Sequence, residues 1–451
     1  MNVRIRRTTG KGAAARDAVA ARPFHYRGRG LCCDGVSLEE LATEYGTPLY
    51  VYSAEQIRYR FGLFQAAFAG REATVCYAVK ANSSLAILRL LAELGAGFDI
   101  VSGGELERVR RASGQKNKAA LGRVVFSGAG KQEWEIDAAL KAGILLFNVE
   151  SEAELELLAA RAEALGVRAR FALRVNPDVF AETHPYISTG LGSHKFGVEI
   201  GNARAIYGRA ARRKWLDAAG VSVHIGSQIR AVGPFAKALE RVAGLVEELR
   251  SDGHEIRYVD AGGGLGIDYN DSPTEPKFDA AGKVREYAVA LGKAAAGLGA
   301  VHLLVEPGRF VAAQAGGLLT RVVVVKKNGA KTFVIVDAAM NDLIRPALYQ
   351  AHHEILPVVK GRGASAKVDV VGPVCESGDF FAHDRKMPRV KAGELVLVLD
   401  AGAYGMSESS NYNTRARAAE VLVDGAGDGD AGARLIRRRE TLRELMAAEI
   451  L

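Results

Sequence analysis

The chain has 451 residues, 48% of them apolar, and a formal net charge of +8 with 52 acidic residues spread along it. It is too long for one small domain and apolar enough for two cores, and its modest charge excess, with no aromatics among the basic runs, argues against a nucleic-acid surface. No run of 18 apolar residues occurs and the first 22 residues lack an apolar h-region, which argues against membrane insertion and secretion; four cysteines (Cys32, Cys33, Cys76, Cys375) with no CxxC pair read as reduced thiols of a cytoplasmic protein.

Residues 1–22 carry six Lys or Arg against Asp17 alone and read as a disordered basic leader; a second basic run, ARLIRRR (433–439), reads likewise as solvated charge. FHYRGRGLCCDG predicts a short strand or hairpin. Ser37-Leu-Glu-Glu40 has the form of a capping box for a helix through Tyr45, and Ser53 caps a longer helix to about Phe68. A short apolar run, a turn and an amphipathic helix then recur. The runs are Val75–Val79, Phe98–Val101, Val124–Phe126, Ile144–Phe147, Phe171–Val175, Val221–Ile225, Ile256–Val259 and Val301–Val305; helical segments such as Leu85–Leu94, Glu152–Leu165, Phe235–Leu249 and Val284–Leu298 lie between them. Eight parallel βα units predict an α/β fold, a (β/α)8 TIM barrel with its site at the C-terminal strand ends; an open doubly wound sheet is the competing arrangement. Beyond Pro307 the texture is β-rich with Gly or Asn turns, and helix pattern returns only at Arg439–Leu451. DGAGDGD (424–430) lacks the downstream Glu of a calcium loop and reads as a hairpin connection. The expected organisation is a leader (1–22), an N-terminal segment packing with the later β domain (23–46), the barrel (47–306) and a C-terminal β-rich domain with a terminal helix (307–451).

Chemistry gathers at the strand ends. Tyr77, Ala78 and Val79 run straight into Lys80, and a lysine at the lip of a strand buried on both faces must pair, titrate or react; a snorkelling lysine is the plain alternative. The second strand ends FDIVSGGEL, bringing Asp99, Ser102, Gly103 and Gly104 to the mouth. The sixth ends HIGSQ, placing His224 near Ser227; by itself such a histidine is more often a satisfied core residue. Asp260-Ala-Gly-Gly-Gly-Leu-Gly266 follows the seventh, where glycine N–H groups approach phosphate without Cβ interference. A dinucleotide fingerprint is excluded there, since IDYNDSPTEP carries turn residues and two prolines instead of a helix. The eighth ends Glu306-Pro-Gly-Arg309: a buried carboxylate wants a cation, such as a protonated pyridine nitrogen, and an arginine wants a phosphate or carboxylate, although a local Glu306–Arg309 salt bridge reads equally well.

Ten motifs in order, YAVKAN (77–82 with its lead-in), FDIVSGGEL, THPYISTG (183–190), HKFG (194–197), HIGSQ, GGGLG, EPGR, MNDLIRPALY (340–349), GPVCESGD (372–379) and GAY (402–404), resemble over nearly the whole chain the group IV pyridoxal-phosphate decarboxylases of the alanine-racemase type of fold. The resemblance implies pyridoxal 5'-phosphate as cofactor, with Lys80 condensing with its aldehyde, His224 stacking on its ring, Glu306 meeting the pyridinium nitrogen, and Gly262, Gly263, Gly264, Ser227 and Tyr404 holding the phosphate. Asp99 and Arg309 join the cofactor set. Arg309, Arg345, Tyr349, Glu376 and Tyr404 would bind substrate and Cys375 would donate a proton; Arg345 alone could equally be a salt-bridged surface residue. In this family Cys375 and Glu376 serve the other subunit's site, which implies a homodimer, and loop 183–197 is expected to cover the site. The implied reaction is decarboxylation of meso-2,6-diaminopimelate to L-lysine and carbon dioxide, the last step of lysine biosynthesis. A carboxylate at 306 argues against a racemase, which places an arginine there; a decarboxylase of D-ornithine, D-lysine or carboxynorspermidine is the alternative, and a regulatory homologue should have lost Lys80 or the glycines. His352 and His353 are adjacent and do not share a helical face, so no metal is assigned. No nucleic-acid or membrane partner is expected.

Overall fold

A computed structural model describes residues 22–114, 118–180, 195–271, 276–361, 364–425 and 432–451. The leader before Arg22, the THPYISTG part of the expected covering loop and most of DGAGDGD lie outside these described residues. The chain divides into two compact units, one comprising residues 61–267 and 279–310, the other the remainder of the described chain.

The first unit is a closed barrel. Its strands are β1 (Ala73–Ala78), β2 (Gly97–Ile100), β3 (Val124–Phe126), β4 (Leu146–Val149), β5 (Ala169–Asn176), β6 (Leu216–Ser222), β7 (Tyr258–Asp260) and β8 (His302–Val305). Each pairs in parallel with the next, and β8 pairs with β1, so the ring closes without an edge. Seven helices, Leu85–Glu93, Gly103–Ser113, Glu133–Ala142, Glu152–Leu165, Ala203–Ala210, Gly233–Ser251 and Ala280–Ala294, follow β1 to β7. Every predicted strand is present, Val124–Phe126 with the expected ends and the others with shifted ones. The run expected at Ile144–Phe147 becomes strand two residues later, because Gly143 ends the preceding helix in the left-handed region (φ 64) and the Ile144 N–H is still bonded to the Ala139 carbonyl. The run expected at Val221–Ile225 is the end of the longer β6, and His224 lies just beyond it.

Alternation along the strands sorts the interior into layers. Cys76, Val125, Leu146, Ala172, Ala219 and Leu304 make an apolar cluster across the barrel. Two residues further along β3, β4, β5 and β8 stand Ser127, Asn148, Arg174 and Glu306, all buried and polar, on the side to which the strands' C-termini point. The site layer thus follows from the two-residue period once the apolar layer is placed.

The second unit is a mixed sheet in the order Phe380–Pro388, Ser365–Val371, Lys331–Val336, Gly316–Asn328, Leu49–Ser53, Ala419–Asp424, Gly432–Arg437, with Leu395–Val398 also on Gly316–Asn328 and Ile355–Pro357 beyond it. Leu49–Ser53 is fully buried and pairs with Gly316–Leu319 on one side and Ala419–Val423 on the other, so the chain leaves this unit at residue 60 and not at the expected 46. The hairpin Phe24–Arg27/Gly30–Cys33 and the helix Leu38–Tyr45, capped by Ser37 Oγ on the Glu40 N–H, share its core through Phe24, Leu31, Val36, Leu38, Leu41, Val51 and Leu397. Residues 268–278 also return to it.

Two expectations about the last residues change. The helix predicted over Arg439–Leu451 is a single turn, Leu442–Leu445, capped by Thr441, and Leu442, Met446, Ile450 and Leu451 are exposed, so little apolar burial supports a longer helix in the single chain. The basic run is not a solvated tail: its front half is the strand Gly432–Arg437, Arg437 pairs with the fully buried Glu420, and Arg439 donates to the Pro48 carbonyl at 2.7 Å. Among the described residues no helix is long and apolar enough to cross a membrane.

Candidate active site

β1 stops at Ala78, and Val79–Ala81 wind into one 3-10 turn that lifts Lys80 onto the barrel's mouth. One strand over, Asp99 is the register partner of Ala78, so the two side chains meet: Lys80 Nζ lies 2.6 Å from Asp99 Oδ2. The acid is fully buried while the lysine side chain is 36% exposed, which keeps the amine both oriented and reachable. The expected ring of small residues after β2 is a helix start, with Ser102 capping the Glu105 N–H at 3.2 Å.

Glu306 follows β8, with its N–H held by the Gly262 carbonyl at 2.8 Å. Its carboxyl is buried, and Oε1 has no hydrogen-bond partner among the described residues. Burial, followed by the nearby Asp260 and Asp99, pushes it well above the usual carboxylate range, and burial raises the adjoining Asp260 as well. Such a group keeps its proton until a cation is placed against it.

The loops after β6, β7 and β8 cross at the glycine run. A Cβ on Gly262 would stand 2.4 Å from the Val223 carbonyl oxygen, on Gly263 2.1 Å from that of Glu306, and on Gly264 2.1 Å from that of Gly226. The run is therefore required for close backbone approach. Two of its N–H groups are committed internally, Gly262 to Asp260 Oδ1 (2.9 Å) and Gly263 to His224 Nδ1 (3.1 Å). The second bond places the imidazole lone pair on Nδ1 and its proton on Nε2. Burial, and then the cations of Arg174 and Lys80, hold His224 well below the ordinary imidazole value, so the ring is neutral. Arg309, opening the short helix after Gly308, donates to Ser227 Oγ at 3.1 Å, so a guanidinium and a hydroxyl stand together.

The remaining expected residues belong to the β-rich unit. Arg345 begins the one-turn helix Arg345–Tyr349 and is buried, unlike a salt-bridged surface residue, while Tyr349 is half-buried. The loop 372–379 is shaped by the buried Asp379, which accepts from the N–H groups of Met340 and Val374 at 2.7 Å each, and it leaves Cys375 and Glu376 exposed. The Cys375 N–H donates to Asn413 Oδ1 at 3.2 Å, and Tyr412 donates to Glu376, a bond that raises the phenol's pKa. Tyr404 is held in the left-handed region (φ 55), where a side chain this bulky sits only under constraint.

Sequence reading missed the supporting layer. Asn148 donates to Asp260 Oδ2 (2.8 Å) and Ser127 Oγ (3.0 Å); Arg174 donates to Glu150 (2.9 Å); and Lys131 is buried against Glu154 (2.6 Å). Ser127, Asn148 and Arg174 each stand two residues beyond an apolar inward position, a signal readable only once the inward face is known. The same layer fixes the described end of the HKFG motif: Asn176 donates to the Phe196 carbonyl (2.6 Å), Gly197 N–H to Glu150 Oε2 (3.1 Å), and the Arg174 guanidinium lies 4.9 Å from the Phe196 ring.

The barrel set fits a phosphorylated pyridine aldehyde. An amine is available for the aldehyde, an unpartnered buried carboxyl oxygen for the ring N–H, a neutral imidazole for the ring face, and a guanidinium–hydroxyl pair for an anion. Among the described residues no group of three or more His, Cys, Asp or Glu has the spacing to hold a metal ion.

Residues 54–313 match the pyridoxal-binding domain of the pyridoxal-dependent decarboxylases. The diaminopimelate decarboxylase of Pseudomonas aeruginosa is 50% identical over 428 residues, covering 95% of this chain and 99% of that protein. The crystal structure of diaminopimelate decarboxylase from M. jannaschii in co-complex with L-lysine superposes with a TM-score of 0.87 at 37% identity, covering 96% of this chain and 98% of that one. The Helicobacter pylori diaminopimelate decarboxylase complexed with L-lysine gives 0.83 at 40% identity over 91% and 98%. Likeness of this extent, carried by a barrel rim that presents the amine and the buried acid on one face, means that the chain belongs to the pyridoxal-dependent decarboxylases and, within them, to the diaminopimelate decarboxylase family.

Proposed function

We propose that the chain removes one carboxylate of meso-2,6-diaminopimelate as carbon dioxide, releases L-lysine in the last step of lysine biosynthesis, and works as a cytoplasmic homodimer. The observation that carries the reaction class is Glu306: a carboxyl with a bare oxygen inside the barrel that also bears Lys80. What pyridoxal phosphate supplies when bound is an electron sink for the charge left behind by the departing carboxylate.

The chain's own residues do the rest. Lys80 offers its amine to the coenzyme's aldehyde, and Asp99 keeps that amine oriented. Glu306 keeps a proton on the ring nitrogen, and Asp260, itself fixed by Asn148, holds Glu306 from behind. His224 lays a neutral ring against the coenzyme, its tilt set by the Gly263 N–H. Arg309, Ser227 and Tyr404 would hold the phosphate, and the glycine run, whose Gly262 and Gly263 N–H groups are taken by Asp260 and His224, would serve it by letting the backbone come close without a Cβ. Arg309, Arg345, Tyr349, Glu376 and Tyr404 hold the substrate's second amino-acid head, whose carboxylate takes a guanidinium and whose ammonium takes Glu376. Cys375 delivers the proton to the carbon that lost its carboxylate.

Two observations support the homodimer with Cys375 and Glu376 working in the partner's site. Both side chains are exposed in the single chain, yet the loop bearing them is tightly built around Asp379. An ordered loop presenting a thiol and a carboxylate outward suits delivery to a second copy. Carbon dioxide release measured on meso-diaminopimelate, D-ornithine and D-lysine tests the reaction; turnover of either shorter diamine at a rate matching diaminopimelate would remove the assignment.

A further inference from the structure

We infer that His353 and Tyr269 are positioning residues that hold the Arg345 guanidinium as a receptor for the carboxylate at the substrate's distal end. This rests on the reading of Arg345 as a substrate ligand. Arg345 is buried at the start of a one-turn helix, where a long side chain has many rotamers to lose. Two neutral aromatic rings from separate stretches of the β-rich unit restrict it. Arg345 Nη1 lies 2.7 Å from His353 Nε2, and the Tyr269 ring centre is 4.5 Å from Arg345 Cζ. The two rings also meet each other edge to face at 5.4 Å.

The hydrogen-bond chemistry permits one arrangement. A guanidinium has donors only, so Nε2 of His353 must be the acceptor and the ring must be uncharged. Nδ1 then carries the proton and donates to the Leu399 carbonyl at 2.7 Å. His353 is fully buried, and its own carbonyl accepts from Arg385 Nη1 at 2.9 Å, which fixes the backbone beneath it. Tyr269 comes from the 268–278 excursion, which is tied to this unit at both ends, by Gln314 Nε2 on the Asp268 carbonyl at 3.4 Å and by the Arg60 guanidinium 5.6 Å from the Phe278 ring. A clamp of this kind differs from a salt bridge in one respect: neither ring cancels the guanidinium's charge. The clamp orients the fork without adding a charge of its own, and bidentate carboxylate recognition depends on that orientation.

The test uses coenzyme-loaded enzyme carrying Arg345→Met, His353→Leu, His353→Gln or Tyr269→Leu, with uptake of one coenzyme per chain as the check on folding. KM and kcat are measured on meso-diaminopimelate and on D-lysine, which lacks the distal carboxylate. His353→Leu and Tyr269→Leu are expected to raise KM for meso-diaminopimelate about tenfold with kcat within about threefold, leaving D-lysine kinetics unchanged. His353→Gln, which retains an acceptor oxygen, is expected to recover part of the loss. If Arg345→Met raises KM but the Tyr269 and His353 variants stay within about twofold, or lose kcat equally on both substrates, the positioning role is overturned. If Arg345→Met itself leaves KM unchanged, the underlying reading of Arg345 fails and the clamp falls with it. Should His353→Leu not take up coenzyme, His353→Gln and Tyr269→Leu carry the same comparison.

Discussion

Replacing Glu306 by glutamine separates what this side chain costs the protein from what it does for the reaction. Glu306 is buried, has no hydrogen-bond partner at Oε1 among the described residues, and is raised well above the carboxylate range by burial and by Asp260 and Asp99. An acid whose folded pKa is raised keeps its proton in the folded chain while the unfolded chain sheds it. Its burden on stability is therefore absent below the ordinary carboxylate value and grows as pH rises toward the folded one. Each pH unit within that window costs roughly 1.4 kcal/mol, or about 3–5 °C in melting temperature for a barrel of this size. Glutamine has the same shape and no proton to lose. Coenzyme-free Glu306→Gln should thus melt close to the parent at pH 5 and progressively above it toward pH 8. Coenzyme affinity should move the other way, weakening about 10- to 150-fold, because a charge-assisted hydrogen bond worth about 1.5–3 kcal/mol is lost. Differential scanning fluorimetry across pH and a coenzyme titration measure the two arms. A melting difference that does not vary with pH would refute the protonated, buried acid; an unchanged affinity would refute its role toward the ring nitrogen.

Lys80→Ala should abolish both turnover and the visible absorbance of tightly bound coenzyme, and a variant with normal activity would be fatal to the assignment of the amine. Mixing inactive Lys80→Ala with inactive Cys375→Ala should restore part of the activity through mixed dimers, and no recovery after subunit exchange would contradict shared sites. Gly263→Ala places a Cβ 2.1 Å from the Glu306 carbonyl oxygen, so it should cost about 3 kcal/mol or more and impair coenzyme uptake; a variant with the parent's melting point and uptake would show that the loop crossing is looser than described.

The barrel was legible because each strand is a short apolar run bounded by a turn, and the rim because Lys80 and Glu306 each follow such a run directly while His224 stands near the end of one. Boundaries slipped where local signals misled. Ile144 looks like a strand residue, yet the left-handed Gly143 keeps it in the turn, and the apolar-poor first half of β6, LDAAG, hides a strand that tertiary pairing secures. Leu49–Ser53 went unread although LYVYS is rich in strand formers, since its partners lie at sequence separations no local pattern reports. The basic run at 433–439 looked solvated for the same reason: Glu420, which pairs with Arg437, is not its neighbour in sequence. The layer of Asn148, Arg174 and Asp260 escaped notice because a buried polar residue in a strand reads from sequence as an exposed one; only closure of the ring turns it inward. Tyr269 was read as part of a turn segment and His353 was weighed only as a metal ligand and set aside, since nothing local reveals that they flank Arg345.

Leu49–Ser53 lies between segments that leave the ribosome far later, Gly316–Leu319 and Ala419–Val423. Until the last of these is made, a five-residue apolar ribbon has both its edges bare. Most of the barrel is translated in that interval, so nascent chains should assemble it early while the ribbon waits, open to improper pairing with other chains. Slow β pairing over so long a separation makes this the step at which overproduction would be lost to inclusion bodies.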